Sequence, residues 1–376
     1  MKNQYIQDKM QSLLDEIVAS GRDIGMQLAV YYKSELIVNA WAGVANTDTK
    51  KSISEHTMFP VFSATKGITA TMLHILADRG ALDYDQRVCE LWPEFAKNGK
   101  EDILIRQVLN HTAGIPQMPE NLTVLDLNNW DGMCDKIADL KPLWAPGSRL
   151  EYHALTYGWI VGRIIELASK KTFTDFFNQE VRVPLGAKSM HIGIPNEIAE
   201  TSSIATLYEP GFDKNNLNTN GVIAIPECCM PMTDWINQYS TLQACIPAGN
   251  GIFNALSLAR HYATLLPGGI DGVTLLSEDT IKKATKVSSL DNKPGGTSVF
   301  GLGYALFADN AESRSLGDQN TVFGHIGYGG SMGFADLKNN FALALTKNYI
   351  NKDSAEIEIV RAVQELLDIP QTLRFI

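Results

Sequence analysis

The sequence predicts an α+β fold whose antiparallel β-sheet is built from both ends of the chain. An amphipathic helix and a β-hairpin open the chain, and four strand-like segments followed by a second amphipathic helix close it. Residues 81–290 instead alternate helical stretches with loops rich in Pro and Gly. We therefore expect residues 1–80 and 291–376 to form one lobe, a sheet flanked by the N- and C-terminal helices. Residues 81–290 would form a mostly helical inserted lobe of the same single domain.

The opening elements are predicted by the period of their apolar residues. Residues 4–20 have helical spacing and end before Gly21, a plausible helix stop. Two runs of alternating apolar residues then flank Lys33 and Ser34, a pattern typical of a hairpin. The helical residues are Ile6, Met10, Leu13, Leu14, Ile17 and Val18, and the alternating ones are Leu28, Val30, Tyr32, Leu36, Val38 and Ala40.

Later elements follow from the same patterns. Residues after 63 favour a helix that ends near Gly80, and a second clear helix is marked by apolar residues between 157 and 165. Strand character returns in four segments, and residues 352–367 form the closing helix. The four strand-like segments are 302–307, 321–326, 331–337 and 341–347.

Composition and charge exclude several classes of function. The chain has 376 residues, 45% apolar and 20% charged, with a net charge of -10, which argues against nucleic-acid and anionic-membrane partners. The N-terminus lacks the apolar core of a secretory signal, and no run of 18 apolar residues occurs. Five cysteines without metal-type spacing indicate reduced structural thiols. We expect a cytoplasmic protein that acts on a small molecule, without a metal or other cofactor; the oligomeric state stays open.

Residues 62–66, Phe-Ser-Ala-Thr-Lys, contain the first chemical signal. Ser63 and Lys66 are three residues apart, so on a helix they lie about 60° from each other on one face. The pair offers a hydroxyl nucleophile and an amine that can take its proton, if the lysine pKa falls by roughly three units from about 10.4. This S-x-x-K pattern predicts a serine acyl-transfer enzyme.

Two further segments supply what such a reaction needs. Tyr152 lies in a loop just ahead of the helix at residue 157, and its phenol can relay a proton if positive neighbours lower its pKa. Residues 324–331 read as a strand that enters a glycine-rich turn. The backbone N–H groups of Ser63 and Tyr328 are the candidate oxyanion donors.

Together these segments resemble the serine β-lactamase and penicillin-binding-protein superfamily, and more narrowly its class C β-lactamase-like, or family VIII, carboxylesterases. The resemblance runs from about residue 10 to 365 and includes residues 105–114, 248–253 and 300–304. It implies that Ser63 is acylated and that Lys66 assists its deprotonation. It also implies that Tyr152 is the tyrosine of Y-x-N and that the family's K-T-G corresponds to residues 325–327.

The sequence departs from that family at two positions. Y-x-N has become Tyr152-His153-Ala154, which lacks the asparagine that contacts an amide substrate. K-T-G has become His325-Ile326-Gly327, so an imidazole with a reference pKa near 6.5 replaces a permanent cation. Both changes favour the esterase branch over β-lactam hydrolysis. We count His325 among the catalytic residues because it can tune Tyr152, and we expect His153, Gly327 and Tyr328 to contact the substrate.

A second serine offers a competing hypothesis. Residues 329–333 match G-x-S-x-G around Ser331, the pattern of α/β-hydrolases. That mechanism needs a helix after the serine and a later histidine, but strand follows Ser331 and His325 is the last histidine. We therefore predict a serine hydrolase that cleaves small esters through an acyl-enzyme on Ser63. The alternatives are an acyltransferase, thioesterase, D-amino-acid peptidase or β-lactamase with the same groups, and a non-catalytic binding protein on this fold.

Overall fold

The structure is a computed structural model that describes residues 2–199, 203–212, 222–290, 298–307, 316, 319–353 and 355–371. Fourteen helices lie in these ranges: α1 Lys2–Ala19, α2 Thr65–Asp78, α3 Val88–Leu91, α4 Ile105–Leu109, α5 Val124–Asn128, α6 Trp130–Ala138, α7 Thr156–Ser169, α8 Phe173–Phe177, α9 Asn196–Ala199, α10 Met232–Ile236, α11 Tyr239–Gln243, α12 Ala255–Ala263, α13 Glu278–Ala284 and α14 Ala355–Leu366. Short 3-10 turns occupy Phe62–Ala64, Pro93–Ala96 and Glu227–Cys229, and Asn178–Arg182 is a π turn.

Strands from the two ends of the chain form one antiparallel sheet of nine strands, in the order β3-β2-β1-β12-β11-β10-β9-β8-β7. A second sheet has the order β4-β6-β5. The strands are β1 Gly25–Tyr32, β2 Glu35–Asn46, β3 Lys51–Ser52, β4 Phe59–Pro60, β5 Met190–Ile192, β6 Gly251–Phe253, β7 Ser289–Leu290, β8 Val299–Phe300, β9 Ala305–Leu306, β10 Val322–Ile326, β11 Met332–Asp336 and β12 Phe341–Lys347. β1 pairs with β12 from Met26 opposite Lys347 to Tyr32 opposite Phe341, which joins the chain ends.

The two faces of the large sheet carry side chains of different size. Along β12, Phe341, Leu343 and Leu345 face the cluster that contains α1 and α14. Ala342 and Ala344 face the opposite cluster, which contains α2 and α12. Because successive strand residues point to opposite faces, this alternation places terminal helices on one face and α2 with α12 on the other. The predicted α+β class and the helix-flanked antiparallel sheet are confirmed.

Helix α12 lies closer to the sheet than its position in the sequence suggests. It falls within 81–290, the span expected to form a separate helical lobe, yet Leu258 and Tyr262 pack against β11. Gly333 permits this approach, since a Cβ there would meet the Tyr262 ring at 2.6 Å. The division into two lobes therefore stays a prediction. Among the described residues, no helix is both long and apolar enough to cross a membrane.

Candidate active site

Ser63 lies in the 3-10 turn Phe62–Ala64, which leads directly into α2. Phe62 has φ +45°, a left-handed conformation that costs a non-glycine residue about 1–3 kcal/mol. The carbonyl of Phe62 is held by the hydroxyl of Thr65, which donates to it at 2.5 Å. Since N–H groups in a first helical turn have no partner within the helix, the N–H of Ser63 is available at the positive end of the helix dipole.

Lys66 is fully buried, and its amine sits behind Ser63. Its Nζ lies 3.1 Å from Ser63 Oγ, 2.7 Å from the carbonyl oxygen of Ala154 and 2.8 Å from that of Ala248. A neutral amine has two hydrogens and one lone pair. If both carbonyls accept those hydrogens, the lone pair faces the serine hydroxyl, which is the arrangement that a general base requires.

Burial lowers the pKa of Lys66 well below its ordinary value. The aromatic faces of Tyr152 and Tyr157 lie on the amine, with Nζ 4.8 Å and 5.9 Å from the two ring centroids. No carboxylate contributes to the pKa of this lysine. Desolvation therefore lowers this pKa in the direction that the sequence argument required, without a neighbouring cation.

Tyr152 reaches the same place from the loop before α7. Its ring packs on His111, with 4.7 Å between ring centroids, and near Phe300 at 6.1 Å. The Tyr152 hydroxyl is buried, and no described residue meets it in good hydrogen-bonding geometry, although the Ser63 side chain is near enough to affect its pKa. Burial raises its pKa, opposed by an interaction with the Ser63 side chain. The condition of a lowered pKa is thus not met: burial raises the pKa of Tyr152, so the phenol stays protonated and is placed as a proton donor.

His325 lies on β10, with 6.1 Å between its ring centroid and that of Tyr152. Its Nδ1–H donates to the carbonyl of Ile326 at 2.9 Å, which leaves Nε2 as an acceptor. That Nε2 atom is buried and has no partner among the described residues. Burial, helped by nearby Lys66, lowers the His325 pKa to about 3. The position where the family has a cation is therefore uncharged at neutral pH.

The turn after β10 brings Tyr328 beside Ser63. Its ring contacts that of Phe62 edge-on, with 5.6 Å between centroids and an interplanar angle of 89°. The turn is closed by the N–H of Gly327, which donates to the carbonyl of Ser331 at 2.7 Å. No described residue accepts the backbone N–H of Tyr328. Tyr328 thus offers both a pocket wall and a free donor next to that of Ser63.

Two of the residues expected to contact substrate lie elsewhere. Gly327 does not line the pocket; it is glycine because a Cβ would come within 2.0 Å of the Val61 carbonyl oxygen. His153 is fully buried: its Nδ1–H donates to the carbonyl of Glu151 at 2.7 Å, and its Nε2 accepts the N–H of Ile115 at 3.1 Å. Both ring nitrogens are satisfied by backbone, so His153 supports the loop that carries Tyr152 and does not face the pocket.

Ser63, Tyr152 and Tyr328 open onto a cavity of about 240 Å³. Its other lining residues are mostly apolar: Phe62, Ala154, Leu155, Val222, Ala224, Ile225, Met232, Trp235, Ala248 and Gly249, together with Glu151. Several of these residues belong to the described part of the segment 200–248. Residues 200–202 and 213–221 lie outside the described residues.

Glu151 is the one charged residue among the described residues that line this cavity. Its carboxylate pairs with Arg149, with 2.6 Å between Oε2 and Nη2, and the Arg149 guanidinium stacks on Trp144 at 4.5 Å from the ring centroid. The described lining offers no cation for an anionic ligand. The cavity therefore suits a neutral, largely apolar group.

The competing serine, Ser331, has a structural role. Ser331 is buried and its Oγ accepts the N–H of Lys347 at 3.2 Å, so it is engaged within the sheet. It precedes β11 instead of a helix, and it does not line the cavity. The sequence analysis missed other participants. The carbonyls of Ala154 and Ala248 and the indole of Trp235 belong to the site, but backbone acceptors and single apolar residues have no sequence pattern of their own.

Comparison with known proteins agrees with this geometry. The family model described as Beta-lactamase matches residues 10–365. The chain belongs to the beta-lactamase family. Within it, the chain is 32% identical over 346 residues to the esterase/beta-lactamase LipL of Mycobacterium tuberculosis, which covers 86% of this chain and 77% of that protein.

Two solved structures are similar to the chain over nearly its whole length. A family VIII carboxylesterase matches with a TM-score of 0.84 at 27% identity, over 96% of this chain and 97% of the other. EstA from Arthrobacter nitroguajacolicus Rue61a matches with a TM-score of 0.81 at 26% identity, over 96% of both chains. The predicted family, fold and serine-hydrolase class of enzyme are confirmed. The roles of the individual site residues stay predictions.

Proposed function

We propose that this enzyme hydrolyses small carboxylic esters through a covalent acyl-enzyme on Ser63. The observation that carries the proposal is the position of the Lys66 amine, fully buried and 3.1 Å from Ser63 Oγ. Burial lowers its pKa well below that of an ordinary lysine, which favours the neutral, basic form of the amine. A hydroxyl activated in this way, at the entrance of an apolar cavity, is suited to attack an ester carbonyl.

Acylation then proceeds with a balanced proton transfer. Ser63 Oγ bonds to the carbonyl carbon while its proton passes to Lys66, and the developing oxyanion is held by the N–H groups of Ser63 and Tyr328. One such donor is typically worth about 3–4 kcal/mol in the transition state. When the C–O bond breaks, the phenol of Tyr152 gives its proton to the leaving alkoxide and receives the one that Lys66 holds.

Deacylation repeats these steps with water. Neutral Lys66 accepts one proton from a water molecule as the water oxygen attacks the acyl carbon, and the Tyr152 phenol can relay that proton by passing on its own. The bond to Ser63 Oγ breaks, the serine recovers its proton, and the acid leaves. The same two groups serve both half-reactions, because each returns to its starting protonation state after acylation.

The substrate class follows from the cavity and its charge. Its walls are mostly apolar, and the one charged side chain among the described lining residues is an acid. A similar protein bears the name esterase/beta-lactamase and another the name carboxylesterase, which supports an ester as substrate. A neutral ester with a short or medium acyl chain fits best.

β-Lactam hydrolysis is a second candidate because of the name of the LipL relative. Two observations weigh against it as the main activity. Ala154 replaces the amide-contacting asparagine, and His325, with a pKa near 3, provides no charge for a carboxylate. We expect β-lactam turnover to be slow.

The test compares two serines on one protein. Ser63→Ala should abolish hydrolysis of p-nitrophenyl butyrate and labelling by a fluorophosphonate, while Ser331→Ala should keep both. Ser331→Ala removes a buried acceptor worth about 1 kcal/mol, so melting curves should accompany the assay. Loss of activity in Ser331→Ala alone would refute the assignment, and a wild-type protein inert to both reagents would favour a binding protein. Added alcohols or amines, with product analysis, would show whether another acceptor replaces water.

A further inference from the structure

We propose that Glu209 is a positioning residue that fixes Tyr328 and, through it, the oxyanion site; this inference rests on the proposed function. The Tyr328 phenol donates a hydrogen bond to Glu209 Oε1. The other side of the same ring packs edge-on against Phe62, directly before Ser63. One candidate oxyanion donor is the N–H of Tyr328 itself, and the other, the N–H of Ser63, follows Phe62 directly. The rings of Tyr328 and Phe62 are in contact, and the Glu209 carboxylate holds the Tyr328 ring at its hydroxyl.

The segment that carries Glu209 is anchored at three places. We call residues 203–210 the cross-strap. Its first part exchanges backbone hydrogen bonds with Met58, of 2.8 Å each, just before β4. Its middle is held by Asn237, whose side chain bonds both the N–H and the carbonyl of Leu207. Its last part runs beside the residues after β12, where Tyr208 donates to Asn348 and accepts from Ile350, at 2.8 Å each.

These anchors make the Glu209 backbone a fixed point relative to both the large sheet and α10. A fixed acceptor can hold a flexible phenol in one rotamer, whereas an acceptor on a free loop would move with it. Held groups of this kind preserve catalytic geometry, and displacement by about 1 Å can cost roughly 100-fold in rate. The cross-strap thus links the outer edge of the fold to the turn that carries the Tyr328 N–H.

The second oxygen of Glu209 supports a role beyond stability. Oε2 is buried and makes no hydrogen bond to any described residue. Burial also raises the pKa of this carboxyl group. A buried polar atom without a partner is destabilising, and such atoms are associated with functional constraint. Among the described residues, the hydrogen bond from the Tyr328 phenol is the one that compensates for the burial of the Glu209 carboxylate.

The experiment uses the full-length enzyme and four variants. Glu209→Ala should lower kcat for p-nitrophenyl butyrate by roughly 10- to 100-fold, with a matching fall in the rate of fluorophosphonate labelling of Ser63. Tyr328→Phe should give a similar loss, and the double variant should lose no more than either alone, because both changes remove the same bond. Glu209→Gln should recover most of the activity, since its amide oxygen can still accept from the phenol.

Controls separate this inference from the proposed function. Glu227→Ala removes an exposed carboxylate near the same cavity wall and should leave kcat unchanged. If Glu209→Ala keeps wild-type kcat, or the two losses add in full, the positioning role is overturned while the esterase stands. If wild-type protein shows no Ser63-dependent turnover, the proposed function fails, and crystal structures of wild type and Glu209→Ala decide this inference separately. A shifted Tyr328 ring would support it, and an unmoved ring would overturn it.

Discussion

Replacing Lys66 by methionine tests the base that the mechanism requires. Lys66→Met keeps a long unbranched side chain in a fully buried position but removes the amine 3.1 Å from Ser63 Oγ. General-base assistance typically contributes about 10²- to 10⁴-fold, so kcat should fall by that factor. Lys66 does not line the substrate cavity, so KM should change little. Stopped-flow and steady-state assays with p-nitrophenyl butyrate give both constants.

The pH profile adds an independent readout. In the wild type, acid protonates Lys66 and removes its lone pair, so activity should fall as the pH drops through its lowered pKa. Because burial lowers that pKa well below the ordinary lysine value, this acidic limb should lie at a lower pH than an ordinary lysine would give. Lys66→Met should retain only a low rate without this acidic limb. His325 should add no inflection between pH 5 and 8, since its pKa is about 3.

Loss of the amine also has a structural cost, which needs a matched control. The carbonyls of Ala154 and Ala248 each lose a donor, at about 1–3 kcal/mol for a buried group left unpaired. Lys100 is a second fully buried lysine whose amine donates to two backbone carbonyls, those of Lys97 and Leu140, away from the cavity. Lys100→Met should lower the melting temperature similarly but keep kcat. If Lys66→Met retains more than a tenth of wild-type kcat, the general-base reasoning is wrong.

Three further changes probe other parts of the site. Tyr152→Phe removes only the buried hydroxyl and keeps the ring packing, so kcat should fall about 10²-fold or more with an unchanged melting curve. His325→Lys restores a cation at this position, so the ratio of kcat/KM for nitrocefin to kcat/KM for p-nitrophenyl butyrate should rise. The rise is about tenfold for each 1.4 kcal/mol by which the cation stabilises the nitrocefin transition state. An unchanged ratio would contradict the charge argument. Trp235→Ala enlarges the cavity, so the preferred p-nitrophenyl ester should shift to a longer acyl chain; a preference that stays at butyrate would place the acyl group elsewhere.

The fold was predictable where local pattern and packing agree. The strand character at 341–347 predicted a strand that matches β12 Phe341–Lys347, because both faces of that apolar segment are buried against helices. The hairpin around Lys33 and Ser34 is equally local: both residues have positive φ, as a two-residue type I′ turn requires. The contact of helix α12 with the large sheet was not predictable, since its amphipathic pattern shows which face is apolar but not what that face meets.

The site was predictable to the extent that its chemistry lies in short segments. Spacing alone brought Ser63 and Lys66 together, whereas the contact between Glu209 and Tyr328 joins residues 119 positions apart and has no local signature. Protonation states were even harder to predict from the sequence. Whether a phenol has a raised or lowered pKa depends on its burial and on the charge of its neighbours, and neither quantity can be read from residue types. That is why the sequence left the direction of the Tyr152 pKa shift as a condition, and burial proves to raise this pKa.

Burial also explains how this site can work without the cation that its family places after β10. In a site with that cation, repulsion between two amines would help to keep the lysine base neutral. Here His325 is neutral, and desolvation alone lowers the pKa of Lys66. Both shifts favour an uncharged resting pair of base and imidazole. In the proposed mechanism, charge then separates when Ser63 attacks, as lysine gains a proton and the oxyanion forms beside the two candidate N–H donors. Electrostatic stabilisation is then concentrated in the transition state, where it raises kcat instead of substrate affinity.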